Sequence, residues 1–184
     1  QASARAEGRA IAAKGLTGPG YDGHTFWDTE TFVLPVLTYT APHAVRDALR
    51  WRHATLSAAR DRAKLLGLDG AAFPWRTIDG QECSGYWPAG TAAFHIGADI
   101  ADAVGRYQAA TDDQAFERET GLELLVETAR LWRSLGHHDV RGRFRIDGVT
   151  GPDEYSALAD NNVYTNLMAQ LNLRYAAEVA ARHS

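Results

Sequence analysis

The sequence contains a single cysteine, Cys83, among its 184 residues. One thiol excludes an internal disulfide and any metal site made from several cysteines, and it fits a reducing compartment. No apolar stretch approaches the roughly 20 residues that a membrane-spanning helix needs. The first ten residues also lack the apolar core of a signal peptide. These absences predict a protein that neither crosses a membrane nor depends on disulfides.

Positive charge is scarce as well, because 19 lysine and arginine residues stand against 23 aspartate and glutamate residues, for a net charge of −4. Nucleic acids and anionic membrane surfaces select basic patches. Basic residues do cluster in residues 46–64 and 141–145, but acidic residues lie among them or close by. We interpret both clusters as solvated faces, and we predict neither nucleic acid nor membrane among the partners.

The spacing of apolar residues predicts helices along almost the whole chain, which is long enough for one globular domain with a core. We predict a short opening helix that ends near Lys14, and a helix over 28–40 that Pro35 bends or ends. A longer helix or a bent pair follows over 43–66, with Gly67 as its C-terminal cap.

Helical spacing resumes near Thr91 after an irregular segment. Thr111, with Gln114 three residues later, has the pattern of a capping box and predicts the start of the next helix. Residues 144–147 alternate and predict one short strand, and a last helix is predicted over 162–183. The residues predicted to face the core are Ile96, Ile100, Ala103, Val104, Tyr107, Leu122, Leu125, Val126, Ala129 and Trp132. The prediction is an all-α domain, for which a bundle, a solenoid and a closed helical barrel all stay open.

Three loops at helix ends concentrate aromatic, acidic and amide side chains. Sugar sites use this mixture, because aromatic rings stack on a pyranose while carboxylates and amides bind its hydroxyls. The first loop, residues 18–30, contains Trp27 and Asp28. Its glycines could hold a phosphate at a helix start, but their spacing does not match nucleotide-binding patterns and no lysine follows. A core tryptophan and a plain N-cap aspartate are the alternative.

The second and third loops carry further candidates. The second, residues 68–90, contains two tryptophans and a tyrosine, which either plug the end of the domain or line a pocket. The third contains Glu154 on a Gly-Pro turn beside Tyr155. Glycosidic cleavage needs a carboxylic acid to protonate the departing oxygen, although a solvated turn carboxylate is the simpler alternative. Asn162 and Asn166 either cap the last helix or point together into a site.

No residue pattern predicts a metal site. His137, His138 and Asp139 are adjacent, so their side chains diverge, and no further ligand has convincing spacing. Cys83 has no evident base partner, which disfavours a nucleophilic cysteine. His95 follows the aromatic loop and is either a core histidine or part of the site.

Four segments carry a family resemblance, in this order: KGLTGPGYDGHTFWDTETFVLPVL, FPWRTIDGQE, HIGADIADAVGRY and IDGVTGPDEYSALADNNVYTN. They cover most of the chain and resemble glycoside hydrolase family 65, which comprises maltose, trehalose and kojibiose phosphorylases and the related acid trehalases. The FWDTE and GPDEY segments are quite specific to that family. The resemblance implies part of an (α/α)6 barrel, a ring of six helical hairpins whose loops make the active site at one end.

The resemblance also implies residue roles. Glu154, in GPDEY, matches the family's general acid, and Trp27 and Asp28, in FWDTE, match residues that hold the transferred glucosyl unit. Residues 81–93 match the variable segment that shapes the acceptor subsite. The stretch CSGYWPAGTAAF is less acidic than its counterpart in maltose phosphorylases, which favours trehalose or another non-maltose disaccharide. The remaining residues predicted to contact substrate are Glu82, Trp87, His95, Tyr155, Asn162 and Asn166.

The implied reaction is a single displacement with inversion, in which Glu154 protonates the glycosidic oxygen. In a phosphorylase, inorganic phosphate attacks the anomeric carbon, so no protein base and no cofactor is needed, and β-glucose 1-phosphate and glucose result. In the alternative, an inverting hydrolase such as a trehalase, a second carboxylate activates water. Two further alternatives are a non-catalytic carbohydrate-binding module and an unrelated helical-repeat adaptor.

The phosphorylase analogy and the lone cysteine predict a cytoplasmic protein, and the analogy allows a homodimer of the parent enzyme. Family enzymes are far longer than this chain. We therefore expect a partial barrel without the family's N-terminal β-sandwich and C-terminal β-domain, inactive by itself. A partial barrel exposes apolar helix faces, which favours self-association.

Overall fold

The structure is a computed structural model that describes residues 8–15 and 18–184. Within these residues the helices are α1 (Leu34–Thr40), α2 (Pro42–Ala54), α3 (Leu56–Leu65), α4 (Trp87–Ala92), α5 (His95–Thr111), α6 (Gln114–Phe116), α7 (Leu122–Leu135) and α8 (Val163–Arg182). A 3-10 turn covers Tyr21–Gly23, and π-helical turns cover Thr29–Val33 and Glu117–Gly121. The strands are β1 (His137–His138) and β2 (Phe144–Arg145).

The predicted opening helix is not present in the described part of its range. Residues 1–7 lie outside the described residues, and residues 8–15 contain no helix. The backbone turns at Gly15, whose φ is 66°. The N–H of Ala13 donates to the carbonyl oxygen of His24 at 3.0 Å. This long-range bond holds the segment against the first loop, so the helix prediction was wrong here.

Pro35 and Gly67 lie where the helical bonding pattern changes or ends. Pro35 lies in the first turn of α1, directly after the π-helical turn over 29–33. The helical backbone continues through Pro35 while the bonding pattern changes from π to α just before it, so the helix does not end there and the predicted bend stays a prediction. The predicted bent pair is confirmed, since α2 ends at Ala54 and α3 begins at Leu56. Gly67 follows α3 at a φ of 72°, where glycine is unstrained.

The predicted capping box at Thr111 was wrong. Thr111 is the last residue of α5, which ends because Asp112 adopts a left-handed φ of 51°. The cap of α6 is Asp113 instead, whose carboxylate accepts the N–H of Phe116 at 3.0 Å. The sequence signal was ambiguous because Asp113 also has the residue type of an N-cap.

Helix α5 is central to the core and packs against α1, α2, α7 and α8. Eight of the predicted core residues are buried, namely Ile96, Ile100, Ala103, Val104, Tyr107, Leu125, Ala129 and Trp132. Leu122 and Val126 are only partly buried. Leu124 and Leu131 of α7 are buried in the core instead. Two polar contacts fix α7 against α8. The indole N–H of Trp132 donates to Asn172 Oδ1 at 2.9 Å, and Asn172 donates to the carbonyl oxygen of Leu125 at 3.2 Å.

A close backbone contact joins the segment after α3 to α7. A Cβ at Gly70 would overlap the carbonyl oxygen of Glu127, and Gly70 has a φ of 73°. The next N–H, that of Ala71, donates to the same carbonyl at 3.0 Å. Glycine is therefore required at this crossing both for its backbone angle and for its lack of a side chain.

The predicted strand over 144–147 is confirmed in its first two residues, which form β2. Its partner β1 was not predicted. The two pair in antiparallel fashion, with His137 opposite Arg145 and His138 opposite Phe144. Both histidines are exposed. Among the described residues, no group of three or more histidine, cysteine, aspartate or glutamate side chains gathers closely enough to bind a metal ion.

Two helix faces expose apolar side chains. Phe32, Val36 and Tyr39 are 62%, 64% and 81% exposed along the π-helical turn and α1, and Val163 and Leu167 are exposed at the start of α8. Such faces favour contact with another surface, so the predicted self-association has a structural basis and stays a prediction. In the described part of the chain, none of the helices has both the length and the apolar character that crossing a membrane requires.

Candidate active site

One cavity of about 500 Å³ brings together residues from the first and third loops. It is lined by Ile11, Ala12, Ala13, Lys14, Tyr21, Phe26, Trp27, Asp28, Thr29, Val33, Trp75 and Glu154. This volume is in the usual range for a small-molecule site. Of the predicted residues, Trp27, Asp28 and Glu154 therefore share one cavity. A cavity of similar volume, about 470 Å³, lies between α5 and α8, and its lining includes none of the predicted site residues.

The first loop reaches this cavity through four consecutive residues at positive φ: Gly20, Tyr21, Asp22 and Gly23. Left-handed backbone is costly for Tyr21 and Asp22, and such strain is found at functional sites. A two-way backbone bridge between Thr25 and Thr77, at 2.8 and 3.2 Å, then ties the loop to the second loop. The turn and the bridge together place Trp27 and Asp28 at the start of the helix.

Phe26 anchors the first loop in the core. It is buried, and its ring makes edge-on contacts with Tyr21 at 5.2 Å and Trp75 at 5.1 Å between centroids. Glu30 also anchors the loop, because its buried carboxylate accepts two hydrogen bonds from Arg52 of α2, at 2.7 and 2.9 Å. A bidentate pair of this kind sets orientation as well as distance.

Asp28 has a carboxylate available for a ligand. It precedes the π-helical turn, in the position of an N-cap, but its side chain makes no capping hydrogen bond. Its side chain is exposed and it lines the cavity. Of the two alternatives left open by the sequence, the plain N-cap is thus disfavoured.

Trp27 is half-buried, with one side against other aromatic rings and another at the cavity. The ring of His95 meets the indole edge-on, with centroids 4.9 Å apart and an interplanar angle of 87°. His95 is only 1% exposed. Because so little of it is accessible, the core-histidine alternative is favoured over direct contact with substrate.

Glu82 organises the second loop. Its carboxylate accepts the N–H of Trp75 at 2.6 Å and the N–H of Ser84 at 2.8 Å, and Arg62 lies 3.8 Å away. Arg62 in turn donates to the carbonyl oxygens of Phe73 at 2.9 Å and Gly90 at 2.7 Å, which lie near the two ends of the loop. Since its oxygens bind the loop itself, the structure shows Glu82 as an organiser of the loop, and the substrate contact that the sequence predicted stays a prediction.

The aromatic side chains of the second loop have different surroundings. Trp75 lines the cavity, and Trp87, the first residue of α4, is 61% exposed. The hydroxyl of Tyr86 donates to the carbonyl oxygen of Glu154 at 3.2 Å. Of the two alternatives, a pocket lining is favoured for Trp75, and the contact of Trp87 with a substrate stays a prediction.

The third loop presents Glu154 at its outer end. The loop is closed by a bridge between Val149 and Ala159 and by a hydrogen bond from the Thr150 hydroxyl to the carbonyl oxygen of Ala157 at 2.6 Å. Glu154 is exposed and Tyr155 is fully exposed at 103%, so both are accessible to a ligand.

The two asparagines separate. Asn162 caps α8, because its Oδ1 accepts the N–H of Thr165 at 3.0 Å. It also packs directly on the turn at Gly151, where a Cβ would overlap its amide. Asn166 lines a different cavity, beside Phe144, so a shared role of the two side chains in the Glu154 cavity is not supported.

Several residues in or beside the cavity were missed by sequence reasoning. Lys14 and Tyr21 lie in the first recognised segment but carried no specific signal, because one was assigned to a helix and the other to a turn. Tyr164 contacts Trp27 with centroids 6.1 Å apart, and it lies in the last recognised segment between the two predicted asparagines. Trp75 was only one of several candidate aromatics in its loop.

Comparison with known proteins identifies one family over the whole chain. The model of the glycosyl hydrolase family 65 central catalytic domain matches residues 1–184. Over 183 residues the chain is 69% identical to an uncharacterized glycosyl hydrolase of Mycobacterium tuberculosis, which covers 100% of the chain and 23% of that protein. It is 55% identical over 172 residues to an α,α-trehalose phosphorylase of Thermoanaerobacter brockii, covering 92% of the chain and 22% of that protein.

Kojibiose phosphorylases are also similar. The identity to the Escherichia coli enzyme is 40% over 188 residues, with 95% of the chain and 25% of that protein covered. A solved structure of a provisional kojibiose phosphorylase from the human microbiome superposes with a TM-score of 0.92 at 35% identity, over 97% of this chain and 24% of that one. The chain thus spans about a quarter of the length of the relatives it matches. Its mostly helical fold is that of part of an (α/α)6 barrel, as predicted.

Proposed function

Because this chain belongs to glycosyl hydrolase family 65, we propose that the complete protein, meaning the full product of the gene that encodes it, cleaves an α-linked glucose disaccharide with inversion. Glu154 is the general acid that protonates the glycosidic oxygen. Trp27 and Asp28 hold the glucosyl unit that is transferred. The observation that carries the proposal is the cavity that these three residues line together, although 127 positions separate Trp27 from Glu154 in sequence.

The chemistry of the lining fits a glucosyl unit. An indole offers an apolar face to a pyranose ring. The carboxylate of Asp28 makes no helix-capping hydrogen bond, so it can accept hydrogen bonds from two sugar hydroxyls. The accessible carboxyl of Glu154 belongs to a loop that is closed at its base and open at its end, which suits a proton donor that must approach a bound oxygen.

Phosphorolysis is the mode of cleavage that we propose, with inorganic phosphate as co-substrate and no cofactor. The relatives named trehalose and kojibiose phosphorylases support it. In this reaction phosphate attacks the anomeric carbon from the face opposite to Glu154, so the protein needs only one catalytic carboxyl group. The products are β-glucose 1-phosphate and glucose.

Trehalose is the substrate that we propose first. The 55% identity to a trehalose phosphorylase exceeds the 40% identity to a kojibiose phosphorylase. The acceptor segment over 81–93 favours a non-maltose disaccharide, because it is less acidic than the corresponding segment of maltose phosphorylases. We propose further that the complete protein supplies the remainder of the barrel and the phosphate site, and acts in the cytoplasm.

Hydrolysis is the second candidate, and the 69% identical mycobacterial relative is named a glycosyl hydrolase. The complete protein should be incubated with trehalose, kojibiose and maltose, each with and without inorganic phosphate, while glucose and glucose 1-phosphate are followed. Glucose 1-phosphate formed only with phosphate supports the proposal. Free glucose alone, at two molecules per disaccharide, contradicts phosphorolysis and supports the hydrolase.

A variant separates catalysis from mere sugar binding. Glu154→Gln keeps the shape of the side chain but cannot donate the acidic proton. We expect turnover to fall at least a hundredfold, the usual contribution of a general acid, while disaccharide binding by calorimetry changes little. Unchanged turnover would remove Glu154 from its role. Sugar binding without any turnover by the unaltered protein would favour the non-catalytic module.

A further inference from the structure

A buried polar group lies directly behind Trp27. The carboxylate of Asp99, which is 1% exposed on α5, uses both of its oxygens. Oδ1 accepts the hydroxyl of Tyr164 at 2.6 Å, and Oδ2 lies 2.7 Å from Nδ1 of His95. His95 belongs to the first turn of α5 and Tyr164 to the first turn of α8. One carboxylate thus joins the starts of two helices.

Both partners of Asp99 contact the same indole. The rings of His95 and Tyr164 have their centroids 4.9 and 6.1 Å from that of Trp27, and they meet each other edge-on at 5.5 Å. Aromatic contacts of this type depend on the relative angle of the rings. If either partner of Asp99 rotates, the surface against which the indole packs changes.

Stability alone does not require this arrangement. A carboxylate in a nearly dry site loses hydration, and apolar side chains of similar volume would stabilise the core about as well. What the carboxylate adds is geometry, because it selects the imidazole nitrogen that faces it and fixes the direction of the phenol. Burial and the negative charge of Asp99 raise the pKa of the Tyr164 hydroxyl, so it stays a hydrogen-bond donor at neutral pH.

We propose that Asp99, His95 and Tyr164 are positioning residues that set the orientation of Trp27 toward its ligand. The inference rests on the proposed function, because it takes Trp27 as the ring on which the glucosyl unit stacks. It assigns to His95 a role that acts through Trp27, and it adds Asp99 and Tyr164, which the sequence had not singled out.

The test uses the complete protein with the disaccharide that it cleaves. Tyr164→Phe keeps the ring but leaves Oδ1 of Asp99 without its donor. Since stacking on Trp27 contributes to the bound substrate and to the transition state alike, we expect KM to rise about tenfold while kcat changes less than about twofold.

Tyr107→Phe is the matched control. The hydroxyl of Tyr107 donates to Asp113 Oδ2 at 2.8 Å, so it is a second tyrosine–aspartate bond. Tyr107 lies on α5 about 18 Å along the helix from His95, by the rise of 1.5 Å per residue. Both variants should lower the thermal midpoint, but only Tyr164→Phe should raise KM. An equal effect of both variants on KM would mean a merely structural role and would overturn the inference.

A double-mutant cycle with Trp27→Phe shows whether Tyr164 acts through the indole. If it does, Tyr164→Phe has little further effect on kcat/KM once Trp27 is replaced. Independent, multiplicative effects would overturn the inference while leaving the proposed function intact. If Trp27→Phe alone leaves kcat/KM unchanged, the assigned role of Trp27 fails first, and the inference fails with it.

Discussion

The hydroxyl of Tyr86 donates a hydrogen bond to the main-chain carbonyl of Glu154, with 3.2 Å between the two oxygens. The bond joins the segment that we expect to select the acceptor sugar to the loop that carries Glu154, the proposed general acid. Both residues are exposed, so the bond contributes to the arrangement of the two loops more than to the core. We therefore expect acceptor choice and the placement of Glu154 to be linked.

Removing this link should lower activity without unfolding the protein. For Tyr86→Phe in the complete protein we expect kcat/KM for the preferred disaccharide to fall roughly fivefold, which corresponds to about 1 kcal/mol for one lost hydrogen bond. The thermal midpoint should stay the same because the bond lies at the surface. Tyr39→Phe, a change at an exposed tyrosine of α1, is the control and should alter neither quantity. Steady-state kinetics that match the unaltered protein would rule out the link.

Loss of the Glu82 carboxylate should loosen the second loop. Glu82→Gln weakens the acceptance of two backbone N–H groups and the attraction to Arg62. We expect about 2 kcal/mol of lost stability and a several-fold rise in KM for the disaccharide. Asp61→Asn, an exposed acid next to Arg62 in sequence, serves as the control. A normal KM together with a lowered thermal midpoint would restrict Glu82 to a purely structural role.

Glycine is required at position 70 for two separable reasons. Gly70→Ala places a Cβ against the backbone of α7 and also strains a left-handed φ, whereas Gly142→Ala at a φ of 75° meets open space. We expect Gly142→Ala to lower the free energy of unfolding by about 1 kcal/mol, the cost of the backbone angle alone. Gly70→Ala should cost at least about 2 kcal/mol more, because overpacking is added. Calorimetry of the two variants checks the difference, and equal losses would contradict the close contact.

A pH-dependent contribution is expected from Glu117. Hydrogen bonds from Arg182 and His183 hold the pKa of this buried carboxyl below its usual value of 4.5. A pKa that is lower in the folded state means that folding favours the ionised form. Its stabilisation is therefore complete above about pH 4.5 and is lost as the pH falls through the folded-state pKa.

For Glu117→Gln we accordingly expect a loss of about 2 kcal/mol at pH 7, and a difference from the unaltered protein that shrinks below about pH 4.5. Glu119→Gln, an exposed change in the same π-helical turn, should show no comparable loss. Denaturant unfolding at several pH values measures both. A difference that persists unchanged at pH 3 would argue against the ionic origin.

The sequence predicted most of the helices because their apolar spacing reports burial directly, as at Ile96 and Ile100 in α5. It failed at Thr111. Thr111 and Asp113 both have side chains that can cap a helix, and the left-handed backbone at Asp112 ends α5 before Asp113 caps the next helix. Among the site residues, Trp27, Asp28 and Glu154, which the family resemblance had singled out, line one cavity, and their roles stay a proposal.

Several side-chain contacts were beyond the reach of sequence patterns. Nothing near Glu82 in sequence indicates that its oxygens bind Trp75 and Ser84 rather than a sugar. The same holds in part for Asp99, which looks like any polar residue in an amphipathic helix. Its partner His95 lies four residues earlier on the same helix, so spacing could have suggested that pair, whereas Tyr164 becomes a partner only because α5 and α8 lie side by side.

The contact between Gly151 and Asn162 holds the two ends of the loop that carries Glu154 together, so residues 152–161 form an arc between them. One end is fixed because Asn162 caps α8, and the other because Gly151 packs closely on Asn162. Residues added to the arc therefore extend it outward. Inserting or deleting residues near Tyr155, which is fully exposed, is therefore a way to change the reach of Glu154 while its anchorage stays intact. Protein engineering that aims at bulkier glycosides could use this arc as an adjustable arm.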